Sequence, residues 1–206
     1  MNHLDTAHLL SLAAALGWAS GIRLYAVVFL TGLAGYLNWL PLPPGLQLLA
    51  HPAVLGVSGF MLAVEFVADK IPWIDSIWDA IHTVVRIPAG AALAGAVFGT
   101  DSTTTALIAA LLGGTLAAAS HTTKMTARAA VNSSPEPFTN VAVSLLEDGL
   151  VIGALWLATE HPVAFGIVLV CTLVLMVMLV LVLLRFLRSV VRRLLQMFGG
   201  PAAPAA

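Results

Sequence analysis

The residues able to do chemistry are few in this chain, and most stand inside or beside apolar runs. Glu147 and Asp148 are adjacent at the middle of the stretch 138–158. An ionised carboxylate at the centre of a membrane span costs about 2.5–3.5 kcal/mol on insertion scales. Two together persist only where they face partners, water or a cavity. Neighbours on a helix point roughly 100° apart, so both can line one broad polar face. Arg23 is the complementary feature: a guanidinium cannot shed its proton, so it must meet a carboxylate, a phosphate or backbone carbonyls. Glu65 and Asp69 add carboxylates at the end of a second apolar run. Asp75, Asp79, His82 and Arg86 follow at spacings of 4, 3 and 4, and His121, Lys124, Arg128 and Asn132 at 3, 4 and 4. Each quartet falls on one helical face.

Each of these features has a plain reading beside the functional one. The pair Glu147–Asp148 forms a site, or it is an ion pair with Arg23, Lys124 or Arg128 that locks helices together. The quartet 75–86 is the solvated face of an interfacial helix, or it lines a site on a re-entrant segment. The quartet 121–132, with hydroxyls from Ser120, Thr122, Thr123 and Thr126, could hold a phosphate, or it is the positive-inside cap of a span. His82 and His121 could join Asp79 or Glu147 at a metal, but a satisfied histidine is the commoner outcome, and no metal or cofactor is expected. The H-E-x-x-H, P-loop, G-x-S-x-G and C-x-x-C patterns do not occur in the sequence.

The elements that must position these residues are read from composition. Of 206 residues, 60% are hydrophobic and 9% charged, and the mean hydropathy is +0.99. Soluble domains carry roughly 25% charged residues, so this chain cannot clothe a soluble globule, and its solvent is lipid. A formal charge of −1 gives no basic field for nucleic acid. Cys171 is the single cysteine, which excludes an internal disulfide. Long runs of Leu, Ala and Gly lack the alternation of a lipid-facing barrel. The fold expected is all-α, a polytopic bundle of about six spans forming one domain over 1–184, with a tail at 185–206.

The spans are read at 9–37, 48–68, 87–98, 106–120, 138–158 and 162–184. The first would be roughly 43 Å long as one helix, so a strong tilt or a break near Gly17–Gly21 is expected. The third and fourth are short, a mark of half-helices ending inside a membrane. Halves at 1–100 and 101–184, each with basic residues on its first helix and acids on its second, would form an inverted repeat. The small-residue rows Ala91, Gly95, Gly99 and Ala109, Gly113, Ala117 let backbones approach closely. Met1 to Ile22 contain no Lys or Arg, unlike the basic start of a signal peptide, so the first apolar segment is read as a span. With six spans and both termini cytoplasmic, loops 38–50, 99–105 and 159–161 are external and hold no basic residue, in accord with the positive-inside rule. The tail residues Arg185, Arg188, Arg192 and Arg193 alternate with apolar ones and suit anionic lipid. Residues 199–206 are expected to be disordered.

Those same charged stretches carry a family resemblance. The run Val64-Glu65-Phe66-Val67-Ala68-Asp69-Lys70-Ile71-Pro72, then Asp75, Asp79, Arg86 and Pro88-Ala89-Gly90, resembles one block of the bacterial membrane family catalogued as domain of unknown function 4126. His121, Lys124, Arg128, Asn132, Asn140, Ser144 and Glu147-Asp148 resemble its second block. Gly21, Arg23 and Tyr25 sit where the family breaks its first helix. Arg23 itself departs from the small or amide residue expected there, and Ile87 separates Arg86 from Pro88. The resemblance implies a multi-span bacterial inner-membrane protein and no particular activity.

The functional expectation is a transporter or channel-like protein for a small ion or solute, or a translocator of lipid headgroups. Glu65, Asp69, Glu147 and Asp148 would form an acidic site, with Arg23, Lys124 and Arg128 balancing charge or holding an anion; His121, Asp75, Asp79, His82 and Arg86 are further candidates for binding an ion or substrate. An intramembrane enzyme acting on a lipid phosphate through His82 or His121, and a scaffold whose charges only lock helices, are the alternatives. Membrane lipid is the expected partner, with a small ion or anionic headgroup as ligand, no nucleic acid, and homo-oligomerisation left open.

Overall fold

The computed structural model describes residues 4–71, 73–99, 102–133 and 137–198. Six α-helices account for nearly all of it: α1 (Thr6–Tyr36), α2 (Pro52–Ala68), α3 (Ile74–Ala96), α4 (Thr103–Asn132), α5 (Pro137–Glu160) and α6 (Pro162–Phe198). A 3-10 segment, Pro44–Ala50, leads into α2 at an angle of 68°. Side chains close several helix ends. The Asp5 carboxylate accepts from the His8 amide, and Ser102 accepts from the Thr105 amide. Just beyond α1, Asn38 has φ of 58°, a conformation that Asn tolerates better than most residues.

α1 is the helix that departs from a plain rod. Arg23 has φ −144° and ψ 84°, outside the helical region, and the chain turns back there. Leu4, Asp5 and His8 line one cleft with Trp39, Leu40 and Glu160. A neighbouring cleft of about 340 Å³ is lined by Leu12 together with Leu30, Thr31 and Ala34. A straight helix would hold Leu12 and Leu30 roughly 27 Å apart. α1 is therefore two half-helices in a V, entering and leaving the bundle at one end with Arg23 at the apex. The break falls two residues beyond Gly21, the limit expected from sequence.

This changes the arrangement of the ends. The Ser11 hydroxyl donates to the Ala158 carbonyl at 2.7 Å, so the N-terminal arm lies beside the α5–α6 turn. The segments α2 to α6 then run alternately between the 3-10-segment end and the end carrying Lys70. The start of α1 and the end of α6 lie at opposite ends, where the basic-residue pattern led us to expect both at one. α4 runs on without a break while α1 folds back, so the two halves differ at their first helices.

By length and composition α1, α4, α5 and α6 could each cross a membrane, and the bent 3-10–α2 pair could make a fifth. The V shape removes α1 from the crossing helices. α3 is less apolar than these helices, yet it runs 23 residues and joins two stretches that the sequence divided at Pro88. Its charged face is turned inward, whereas Ile77, Ile81 and Val84 are exposed. In lipid an amphipathic helix is turned inside out, because the solvent takes the apolar face. The interfacial helix read at 72–88 is thus half of a bundle helix, although Pro72 lies outside the described residues. Likewise the fourth segment extends from 106–120 to the whole of α4, and its basic quartet is buried rather than a cap.

The core has two layers. Toward the 3-10-segment end, α1, α3 and α4 meet through small residues. A Cβ on Gly17 would stand 2.6 Å from the Gly113 Cα, and one on Gly90 would stand 2.7 Å from the Ala117 Cβ. The row expected at Ala91, Gly95 and Gly99 is in fact Gly90, Ala91, Ala94 and Gly95, while Gly99 neighbours only its own turn. Toward the other end the same buried stripes become charged. α6 carries its helix on to Phe198, and residues 199–206, for which disorder was expected, lie outside the described residues.

Candidate functional site

The charged layer forms around the apex of α1. Where the helix breaks, side chains of α4 donate to two backbone carbonyls, those of Gly21 and Ile22. His121 Nδ1 donates to the Gly21 carbonyl at 3.2 Å, and Lys124 Nζ donates to the Ile22 carbonyl at 3.2 Å. The break and the basic quartet therefore satisfy one another.

Arg23 itself is fully buried and reaches the end of α2 and the middle of α5. Its Nη1 lies 3.0 Å from Asp69 Oδ2 and its Nε 2.9 Å from Asp148 Oδ1. Its Nη2 donates to the Ser144 carbonyl at 3.0 Å and to the Ser144 hydroxyl at 2.8 Å. Lys124 Nζ sits between three carboxylates, 2.9 Å from Asp69, 3.2 Å from Asp79 and 3.4 Å from Glu147. Arg128 grips Glu147 with two donors, Nη2 at 2.7 Å and Nε at 3.1 Å, the bidentate geometry that suits a guanidinium. Its Nη1 also donates to the Asp69 carbonyl at 2.9 Å and to the Asn140 side chain, and it lies 3.5 Å from Asp75. Arg86 bridges Glu65 and Asp79 at 2.5 Å each.

These contacts join ten charged residues into one network. Glu65, Asp69, Asp75, Asp79, Glu147 and Asp148 face Arg23, Arg86, Lys124 and Arg128, leaving a formal charge of −2 among them. Seven of the ten have no solvent-exposed surface. Lys70, at the end of α2, stands at the rim, where Nζ donates to the Phe66 carbonyl and reaches the Ser144 hydroxyl at 3.3 Å. Asp148 is the least enclosed of the six acids, with 22% of its side chain accessible. Several carboxylate oxygens are buried with no hydrogen-bond partner, among them Glu65 Oε2, Asp69 Oδ1 and Asp79 Oδ2. Buried oxygens of that kind attract protons, cations or water.

Eleven of the twelve residues singled out from sequence converge here. His121 joins through the Gly21 carbonyl and through Thr83, whose hydroxyl is 2.7 Å from Nε2. His82 stands apart: its ring stacks on Trp78 at 4.0 Å, meets Tyr25 edge-on, and its Nδ1 donates to the Trp78 carbonyl. The pairing read as the plain alternative for Glu147–Asp148 is present in full, since Arg23, Lys124 and Arg128 all lie within 4.0 Å of Glu147. Asn140, Ser144 and Lys70 also belong to the site and were not chosen from charge and spacing. A signal existed for two of them, because 140, 144 and 147 follow the 4, 3 spacing of a single helical face. Among the described residues no group of three or more His, Cys, Asp or Glu is arranged to hold a metal.

No curated protein and no solved structure matches the chain. The model of the family described as domain of unknown function DUF4126 matches residues 10–182, which takes in every helix of the site, and the chain belongs to that family.

Proposed function

We propose that this protein is a membrane transporter for a small ion or solute, whose translocation step runs through the charged layer around Arg23. The observation that carries the reading is the imbalance of the network. Each unpaired ionised carboxylate in a dry interior is strongly unfavourable, so a negative excess on the apex of a broken helix favours binding and release of positive charge. Half-helices that end inside a bundle supply ion and substrate sites in known transporter architectures. The Gly and Ala layer closes one side of the site, and Lys70 and Asp148 mark its approach from the other.

By the positive-inside rule the end with Lys70 and the four arginines 185–193 is cytoplasmic. The N-terminal arm of α1 is then external, in accord with the lack of Lys and Arg before Arg23. The membrane is the bacterial inner membrane, following the family resemblance. Capture of an anionic lipid headgroup is the weaker variant, because each cation of the network already holds one or more carboxylates.

Flux in proteoliposomes tests the reading. Full-length protein should move a small ion or solute, and Glu147→Gln with Asp148→Asn should alter that flux at least tenfold. Flux that is indifferent to both substitutions would remove the charged layer from the transport step.

A further inference from the structure

The network does not distribute its cations evenly, and the unevenness singles out one carboxylate. Asp69 has Arg23 at 3.0 Å and Lys124 at 2.9 Å. Glu147 has Lys124 and a two-donor grip from Arg128. Asp79 has Arg86 at 2.5 Å and Lys124 at 3.2 Å. Asp75 has Arg128 and also accepts from the Asn132 amide and the Ser76 backbone. Asp148 holds the Arg23 Nε and is partly accessible. Among the four acids with no exposed surface, Glu65, Asp69, Asp75 and Asp79, Glu65 has the fewest donors: Asp75 also has one cation but adds two neutral donors. Glu65 is wholly buried, has Arg86 as its one cation within 4.0 Å, and shares that cation with Asp79. Its second oxygen, Oε2, has no hydrogen-bond partner among the described residues, as is also true of one oxygen each on Asp69, Asp75, Asp79 and Asp148, so its single donor is what sets Glu65 apart.

We infer that Glu65 is the proton-binding residue of this layer, and that it stands protonated while Arg86 bridges it to Asp79. The inference deepens the transport reading by naming the proton as its coupling ion. A neutral Glu65 removes one unit of the −2 excess at the fully buried acid that has a single, shared donor. Its carbonyl oxygen still accepts from Arg86, and its O–H lies on the unpartnered side. The groups around it are Arg86 of α3, Lys124 of α4, Arg23 and Tyr25 of α1, and Asp69 at the end of its own helix; Asp79 and His121 lie beyond Arg86, and His82 beyond Tyr25. When the O–H bond breaks, the proton leaves to water at the Lys70 end. The carboxylate left behind then competes with Asp79 for Arg86, and through Asp79 and Lys124 alters the hold on Asp69 beside the α1 apex. Proton release is thus tied mechanically to the break in α1.

Infrared difference spectroscopy on the full chain in liposomes reads the proton directly, without requiring flux. At neutral pH the wild type should show the C=O stretch of a protonated carboxyl. Glu65→Gln should lose it and Glu147→Gln should keep it. Glutamate labelled with ¹³C at the side-chain carboxyl covers the case in which Glu65→Gln does not fold, because the wild-type band must then move. A missing band, a band that survives in folded Glu65→Gln, or one unmoved by the label overturns the inference. If the band is assigned to Glu65 while the wild type carries no flux, the proton site stands and the transport reading alone falls.

Discussion

Removal of Arg23 is the perturbation whose outcome is most constrained by the geometry. Arg23→Ala takes away a guanidinium that lies within 3.0 Å of both Asp69 and Asp148 and that binds Ser144. Asp69 retains Lys124 at 2.9 Å, so most of the damage falls on Asp148, which is left with no cation within 4.0 Å among the described residues. Breaking a buried ion pair by removing one partner is destabilising by about 3–5 kcal/mol. For a chain of this size each kcal/mol moves Tm by about 2–4 °C, so a fall of roughly 6–20 °C is expected. Adding Asp148→Asn discharges the stranded acid and should restore about 1–3 kcal/mol, the coupling usual for residues in one network. Asp148→Asn alone should be milder than Arg23→Ala, because Arg23 keeps Asp69. Thermal unfolding in detergent, followed by fluorescence of the five tryptophans, measures all three variants. A loss below about 1 kcal/mol for Arg23→Ala, or no recovery in the double variant, would refute the idea that this guanidinium is held by buried carboxylates.

Further expectations follow from the same coordinates. A Cβ on Gly113 would collide with Ala94 of the neighbouring helix, so Gly113→Ala should destabilise by about 1–3 kcal/mol. Gly149, with nothing within 4 Å, should tolerate alanine or gain about 0.5–1 kcal/mol in the same unfolding assay. The inverted face of α3 predicts that a spin label at Val84 is reached by a lipid-soluble relaxation agent, while one at Gly90 is not. The Asp5 carboxyl, whose bond from the His8 amide holds it below the usual range, stabilises the start of α1 when ionised. That contribution is complete above the ordinary aspartate range and lost as the pH falls through the lowered value. Protection of the amides at residues 6–9, measured relative to their intrinsic exchange rates, should therefore fall in acid, and Asp5→Ala should abolish that acid-dependent loss of protection.

The chemistry of single residues was legible in the sequence, and its assembly was less so. A guanidinium in an apolar run must find partners whatever the fold, and Arg23 found carboxylates and a backbone carbonyl as that argument requires. Which acids would converge on it could not be read, because Asp69 and Asp148 are 46 and 125 positions away and nothing local links them. The quartets on α3 and α4 were located correctly by helical spacing. Their burial was not foreseen, because an amphipathic pattern alone does not say whether water or lipid takes the outer face. Pro88 was read as a boundary, but a proline disrupts a helix only by one lost hydrogen bond and a local clash, and the packing of α3 against α4 carries the helix through. The fold-back of α1 left two signals: a length greater than the membrane, and a first 22 residues free of Lys and Arg. The second accords with an N-terminal arm that lies at the end of the bundle away from Lys70 and the tail arginines.

A distance between two spin labels tests most directly whether α1 turns back at Arg23 to place that residue among the carboxylates. With Cys171 replaced by serine, labels at His8 and Leu40 probe the two arms, since both residues line one cleft. The V shape predicts a separation under about half of the roughly 42 Å that the 28 residues from His8 to the end of α1 would span as one straight helix. A distance near that full length would mean that α1 crosses as a single rod, and the buried network around its apex would have no means of forming.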